Sequence, residues 1–191
     1  PAANEASAQF VVLSPISRKT WSHAPTEVHE RYLERLAHTG AALAQRGLAL
    51  RIACSQPAMD MSEAHTLLQQ LSALGVRDAQ LCSTPTVPDF LRAVQGAQLV
   101  IASRLHAVIL SLVAGCPVLA LPYLPKVSTV MRDAGLGDYH LPLRDFSAAD
   151  LTARAMHALT RVDTLRAHVR ATHERWRVQV QEIFDDVLTL F

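Results

Sequence analysis

Apolar and polar positions alternate between two periods along the chain. Short apolar runs at Phe10–Leu13, Leu48–Cys54, Asp78–Cys82, Gln98–Ala102 and Pro117–Leu121 read as strands. Between them lie stretches of helical spacing: Thr26–Arg46, Ser62–Leu74, Val87–Val94, Arg104–Ala114 and Val127–Ala134. Gly47, Gly75, Gly96, Gly115 and Gly135 follow these stretches, as C-terminal glycine caps do. Tyr139–Leu141 reads as a last short strand, and Ser147–Leu159 and Thr164–Leu190 as closing helices.

Strands separated by helices specify βαβ units and a parallel sheet. Runs 98–102 and 117–121 are apolar at every position but Gln98, as strands covered on both faces are. Right-handed crossovers then give an α/β fold, a Rossmann-like parallel sheet flanked by helices in the order 3-2-1-4-5.

Composition narrows the function. The 191 residues are 50% hydrophobic and 18% charged, with a net charge of +1, which suits one domain with a substantial core. That balance offers no basic footprint for nucleic acid. The longest apolar stretch, Ala107–Leu121, is broken by Ser111, Gly115 and Pro117 and falls short of the roughly 20 residues of a spanning helix. Pro1–Gln9 is Ala-rich and polar, reads as a linker or tail, and lacks the pattern of a signal peptide. Cys54, Cys82 and Cys116 have no metal-ligand spacing and read as reduced thiols. Of 18 basic side chains only two, Lys19 and Lys126, are lysines.

Ligands of open α/β sheets sit beyond the carboxyl ends of the strands, where the strand order reverses. Three loops meet there: Ser14–Trp21 with Arg18 and Lys19, Ser103–His106, and Pro122–Lys126 with Tyr123. Ser103 is placed to cap the following helix, with Arg104 and His106 in its first turn. A cation there opposes the helix dipole, so Arg104 calls for an anion: a bound phosphate or carboxylate shared with Lys126, or an Asp of the chain itself. His106 is either a satisfied core histidine or an acid/base group. Tyr123 packs the crevice wall or meets ligand. No metal motif appears among the nine histidines.

The segment Gln98–Val127, with Arg104-Leu105-His106 opening a helix, Gly115-Cys116-Pro117, a second strand and Tyr123-Leu124-Pro125-Lys126-Val127, resembles the polysaccharide pyruvyl transferase family. Asp89-Phe90-Leu91 before it and Ala134-Gly135-Leu136 after it extend the likeness over 89–137, and the Ser14–Trp21 loop resembles the family's loop after the first strand. Gln98 departs from it, standing where an acidic residue is common. The resemblance implies the C-terminal half of a GT-B-like two-domain enzyme, inactive alone. On that reading residues 1–9 are a linker, 10–163 the Rossmann-like domain, and 164–191 a helix packing towards an N-terminal domain of the same enzyme.

It also implies a reaction: pyruvyl transfer from phosphoenolpyruvate to a sugar of a cell-envelope polysaccharide or a lipid-linked precursor, forming a ketal and releasing phosphate. His106 would be the general acid/base, histidine being the side chain whose charge changes near neutral pH. Arg104, Lys126, Arg18, Ser103 and Tyr123 would bind substrate. Phosphoenolpyruvate enters as donor substrate, with no cofactor or metal, in the cytoplasm or at the inner face of the membrane. Two other readings stay open: a nucleotide-sugar-binding half of a glycosyltransferase or epimerase, whose Gly-rich diphosphate loop is missing here, and a non-catalytic Rossmann-like binding domain.

Overall fold

The computed structural model describes residues 9–21 and 25–188. Five parallel strands, β1 (Phe10–Ser14), β2 (Ala49–Ile52), β3 (Gln80–Leu81), β4 (Leu99–Ala102) and β5 (Val118–Ala120), form one sheet in the order β3-β2-β1-β4-β5. The helices are α1 (Thr26–Ala44), α2 (Pro57–Ala73), α3 (Val87–Val94), α4 (Leu105–Val113), α5 (Pro125–Asp133), α6 (Ala148–Leu159) and α7 (Val162–Leu188). This is the Rossmann-like α/β architecture that the alternation of periods predicts. The tail assigned to 1–9 lies, apart from Gln9, outside the described residues, as do the last two positions of the predicted closing helix.

Register follows from the apolar runs. Val11, Val12 and Leu13 pair with Leu50, Arg51 and Ile52 on one side and with Leu99, Val100 and Ile101 on the other. Val11, Val12, Leu13, Leu99 and Leu119 are wholly buried, as strands covered on both faces must be. The sheet grows leftward from β1 and rightward from β4, so right-handed crossovers put α1 and α4 on opposite faces. On the α1 face, α1 packs between α2 and α6; on the other, α4 packs between α3 and α5. Gly40 lets α1 approach closely, since a Cβ there would stand 2.9 Å from Leu71 and 3.0 Å from Leu13.

Two helices that open on proline begin earlier than their apolar periodicity suggests, as does α7, at Val162 rather than Thr164. α2 starts at Pro57 rather than Ser62, and α5 at Pro125 rather than Val127. In α2 and α5, proline occupies the first turn, where its fixed φ suits the helix and its missing N–H leaves nothing unsatisfied. The consequence is functional. Asp60 lies inside α2, and Lys126 sits in the first turn of α5 instead of a loop. Tyr139–Leu141 contributes one parallel bridge, Ala120 to His140, rather than a full strand.

α7 first runs along the edge where the strands begin. Arg166 donates to the carbonyls of Gly96 (3.0 Å) and Ala97 (2.9 Å), just past the end of α3. His168 donates to Ala134 O (2.7 Å) and Arg175 to Asp133 O (3.3 Å), at the end of α5. These donors meet carbonyls at or just past helix ends, which have no intrahelical partner and lie where the helix dipoles are negative. The first half of this helix is thus tied to the sheet domain. Its second half projects Val180, Ile183 and Phe184, each more than half exposed.

Candidate functional site

Three segments meet at the carboxyl edge between β1 and β4, and a single buried carboxylate joins them. Asp60, fully buried in the first turns of α2, accepts the Ser17 backbone N–H at 2.9 Å from the loop after β1. It also takes Arg104 in a bidentate grip, Nε to Oδ2 at 2.7 Å and Nη2 to Oδ1 at 2.6 Å. Nη1 of Arg104 donates to Gln56 Oε1 (2.8 Å) and Nη2 to Thr20 Oγ1 (2.7 Å), leaving the guanidinium 6% exposed. A fork–fork pair of this kind fixes geometry in two directions at once.

This arrangement decides one open alternative and corrects one expectation. The anion that Arg104 calls for is the chain's own Asp60, so four of its five N–H groups are committed inside the protein and its charge is neutralised before any ligand arrives. Ser103 does not cap α4: Arg104 holds the N-cap position, with no side-chain capping bond. The Ser103 hydroxyl is instead buried against Tyr32, Oγ to OH 2.9 Å. Tyr32 OH in turn accepts the Ile16 N–H at 3.2 Å, and His29 Nε2 donates to Ile16 O at 2.9 Å. A buried hydroxyl placed within reach of another satisfies that bond before it turns to its own helix.

Burial pushes the Tyr32 hydroxyl well above the ordinary tyrosine range, so it is a neutral hydroxyl at any physiological pH. The Cys54 thiol, beneath the same loops, is pushed up to about 12, first by burial and then by Asp60. Neither is a nucleophile at neutral pH.

What remains open to solvent is a set of basic side chains. His106 stands at the second position of α4 and Lys126 at the second position of α5, both exposed; Arg18 and Lys19 are exposed on the loop after β1. None of the four has a side-chain hydrogen bond or ion pair among the described residues. α4 and α5 pack side by side, and neither carries a side-chain cap. The contrast with α3 and α6 is instructive, because both of those bear complete capping boxes, Thr86 with Asp89 and Ser147 with Asp150. The helices that follow the two strands β4 and β5 start, like α1 and α2, without side-chain caps, and they carry the exposed, unpartnered side chains of His106 and Lys126. In α5 the Val127 N–H already donates to Leu124 O at 3.1 Å, so the ammonium of Lys126 and the start of α4 are what an anion would meet.

Tyr123 faces elsewhere in part. It lines a cavity of about 390 Å³ with Ser128, Arg132 and His140 on the outer side of α5. Lys19 and Ser17 line a smaller one, about 190 Å³, against the start of α2. Among the described residues no three His, Cys, Asp or Glu side chains cluster as metal ligands, and no helix is long and apolar enough to cross a membrane.

The residues that sequence reasoning overlooked are Asp60, Gln56, Thr20 and Tyr32. One signal was available for Asp60. It shares a helical stripe with Ala64, Leu67 and Leu71, all buried, and a carboxylate in an apolar stripe requires a cation.

The fold is shared with glycosyltransferases of the GT-B type. A variant of the O-GlcNAc transferase of Thermobaculum terrenum superimposes with a TM-score of 0.61 at 21% identity, over 89% of this chain and 33% of that one. A glycosyltransferase from Rickettsia africae gives 0.56 at 11% identity, over 94% and 48%. The arginine-glycosylating enzyme of elongation factor EF-P gives 0.56 at 14%, over 90% and 57%. The chain thus spans between a third and about three fifths of these proteins. No curated protein matches its sequence. One family model does: residues 48–125, from β2 to the first residue of α5 and so including Asp60 and Ser103–His106, match polysaccharide pyruvyl transferase.

Proposed function

We propose that the chain is the C-terminal half of a polysaccharide pyruvyl transferase, moving a pyruvyl group from phosphoenolpyruvate to two hydroxyls of a saccharide. One observation carries this reading. The two uncapped helix starts that bear exposed His106 and Lys126 stand in, or one residue beyond, the segment that matches the family.

Phosphoenolpyruvate carries a carboxylate and a phosphate, and a site for it needs fixed cations and N–H donors. Lys126 and the uncapped first turn of α4 supply them, with Arg18 exposed on the loop after β1. Lysine suits the phosphate as a compact, three-donor point charge. His106 delivers a proton to C3 of the enol while C2 gains oxocarbenium character. A saccharide hydroxyl attacks C2 and returns its proton to the imidazole. The C2–O bond to phosphate then breaks, the second hydroxyl closes the ketal, and its proton leaves on the phosphate. Donor plus diol become ketal plus inorganic phosphate, with no redox change.

Arg104 and Ser103 act through the scaffold on this reading. The Asp60 pair fixes the residue that opens α4, and so the position of His106 two residues on. Tyr123 lines the wall beside Lys126. A preceding domain of the same enzyme completes the cleft, and the exposed apolar positions of α7 are the surface it covers.

The test is the full-length enzyme with phosphoenolpyruvate and its saccharide acceptor. His106→Ala and Lys126→Ala each abolish ketal formation while circular dichroism stays unchanged; near-normal turnover of either variant overturns the assignment.

A further inference from the structure

A second basic cluster lies away from the crevice, near the edge where the strands begin. Between the end of α5, the second half of α6 and the first turn of α7 is a cavity of about 340 Å³. Its lining brings together Arg154, His157, Arg161 and His168, four basic side chains from α6, the α6–α7 turn and α7. Arg154 is held at the cavity by donating Nη1 to Asp138 O at 2.7 Å. Arg161 has no hydrogen bond or ion pair from its side chain among the described residues. All four side chains are exposed, and the two guanidinium groups face one concavity with no ion pair to either, so their charge is available to an anion.

The remaining lining says what kind of anion fits. The volume is above the roughly 300 Å³ lower bound of small-molecule sites and far larger than a lone phosphate requires. The rings of Tyr139 and His157 stack, centroids 6.3 Å apart and 16° between planes, and line the cavity together with Leu136 and Leu165. That surface suits the C–H face of a sugar ring. The Thr164 hydroxyl is a further donor, and the Asp138 carboxylate, which would repel a phosphate placed against it, is an acceptor for sugar hydroxyls. Two guanidinium groups supply more N–H donors than a carboxylate can use, whereas a phosphomonoester has three terminal oxygens to receive them.

We infer that this cavity is a binding site for a phosphorylated sugar, separate from the crevice at His106 and Lys126. It does not depend on the pyruvyl-transfer reading, because its test reads binding rather than turnover.

The experiment is calorimetric titration of the full-length protein with glucose 6-phosphate, glucose and inorganic phosphate. Glucose 6-phosphate is expected to bind wild type and the His106→Ala/Lys126→Ala variant alike, and glucose not at all. Arg154→Gln/Arg161→Gln should weaken binding at least about tenfold, the loss expected when charge-assisted hydrogen bonds are removed. Arg154→Gln gives up a structural hydrogen bond, so Arg161→Glu alone serves as the second variant and should weaken binding at least as much. The inference is overturned by unchanged affinity in Arg161→Glu, by loss in the His106/Lys126 variant instead, or by absence of binding at millimolar glucose 6-phosphate. Inorganic phosphate binding as tightly as glucose 6-phosphate overturns the sugar half of the assignment.

Discussion

Replacing Asp60 by alanine removes the only carboxylate that meets the Arg104 guanidinium among the described residues. Both side chains of this pair are nearly inaccessible, at 8% for Arg104 and 1% for Asp60. Breaking a buried ion pair by deleting one partner costs about 3–5 kcal/mol, because an uncompensated charge stays behind. The orphaned Ser17 N–H adds part of a further roughly 1–3 kcal/mol, the two terms sharing one relaxed cavity and so not summing in full. A total on the order of 4 kcal/mol is a large share of the roughly 5–15 kcal/mol that holds a domain together. For a chain of this size it lowers Tm by about 8–16 °C. Urea unfolding of wild type, Asp60→Ala, Arg104→Met and Asp60→Leu/Arg104→Met measures it. The double variant should recover most of the loss, since replacing a whole buried pair by apolar groups is near neutral. A loss under about 1 kcal/mol for Asp60→Ala would refute the reasoning, as would a double variant less stable than either single one.

Five further outcomes rest on the same structure. His106→Ala and Lys126→Ala, altering exposed side chains without partners, should change stability by no more than about 0.5 kcal/mol in urea titrations. Tyr32→Phe strands the Ser103 hydroxyl and the Ile16 N–H and should cost about 1–3 kcal/mol by the same assay. Gly135→Ala forces a side chain to φ +70° with its Cβ 2.9 Å from the His168 ring, and about 1–3 kcal/mol of destabilisation is expected, read as a fall in Tm. Burial raises the thiols of Cys54, Cys82 and Cys116, and Cys82 is the least buried. At pH 8 a thiol reagent should therefore label Cys82 first, and the other two after unfolding. The stability that comes from holding Cys54 protonated is complete below about pH 8.5, the pKa of an unfolded thiol. It is lost as pH rises towards about 12, where the folded thiol itself ionises.

The sheet order was legible because the central strands β1, β4 and β5 are almost wholly apolar and each of the helices α1 to α5 is followed by a glycine. Gly47, Gly75, Gly96, Gly115 and Gly135 all take positive φ just past a helix end, as their spacing predicts. Helix starts were less legible. Periodicity marks the first residue that packs, whereas Pro57 and Pro125 begin their helices before any residue packs, and that moved Asp60 and Lys126 into first turns. The Arg104–Asp60 pair closes across 44 positions and depends on how α2 docks on the sheet, which no local pattern reports. A structural Asp partner for Arg104 was readable as an alternative, but which Asp was not. Ser103 shows tertiary contact overriding a local preference, its hydroxyl drawn to Tyr32 from 71 residues away. His106 and Lys126 were both readable as a pair at one sheet edge, because the strand order alone brings the ends of β4 and β5 together.

The central claim is that the crevice at α4 and α5 receives phosphoenolpyruvate, and calorimetric binding to the full-length protein tests it most directly. Phosphoenolpyruvate should bind wild type, and Lys126→Ala should weaken it at least about tenfold, as removal of a charge-assisted contact does. The Arg161→Glu variant should bind it as wild type does. Equal affinity in wild type and Lys126→Ala, or binding of a nucleotide sugar but not of phosphoenolpyruvate, would contradict the account.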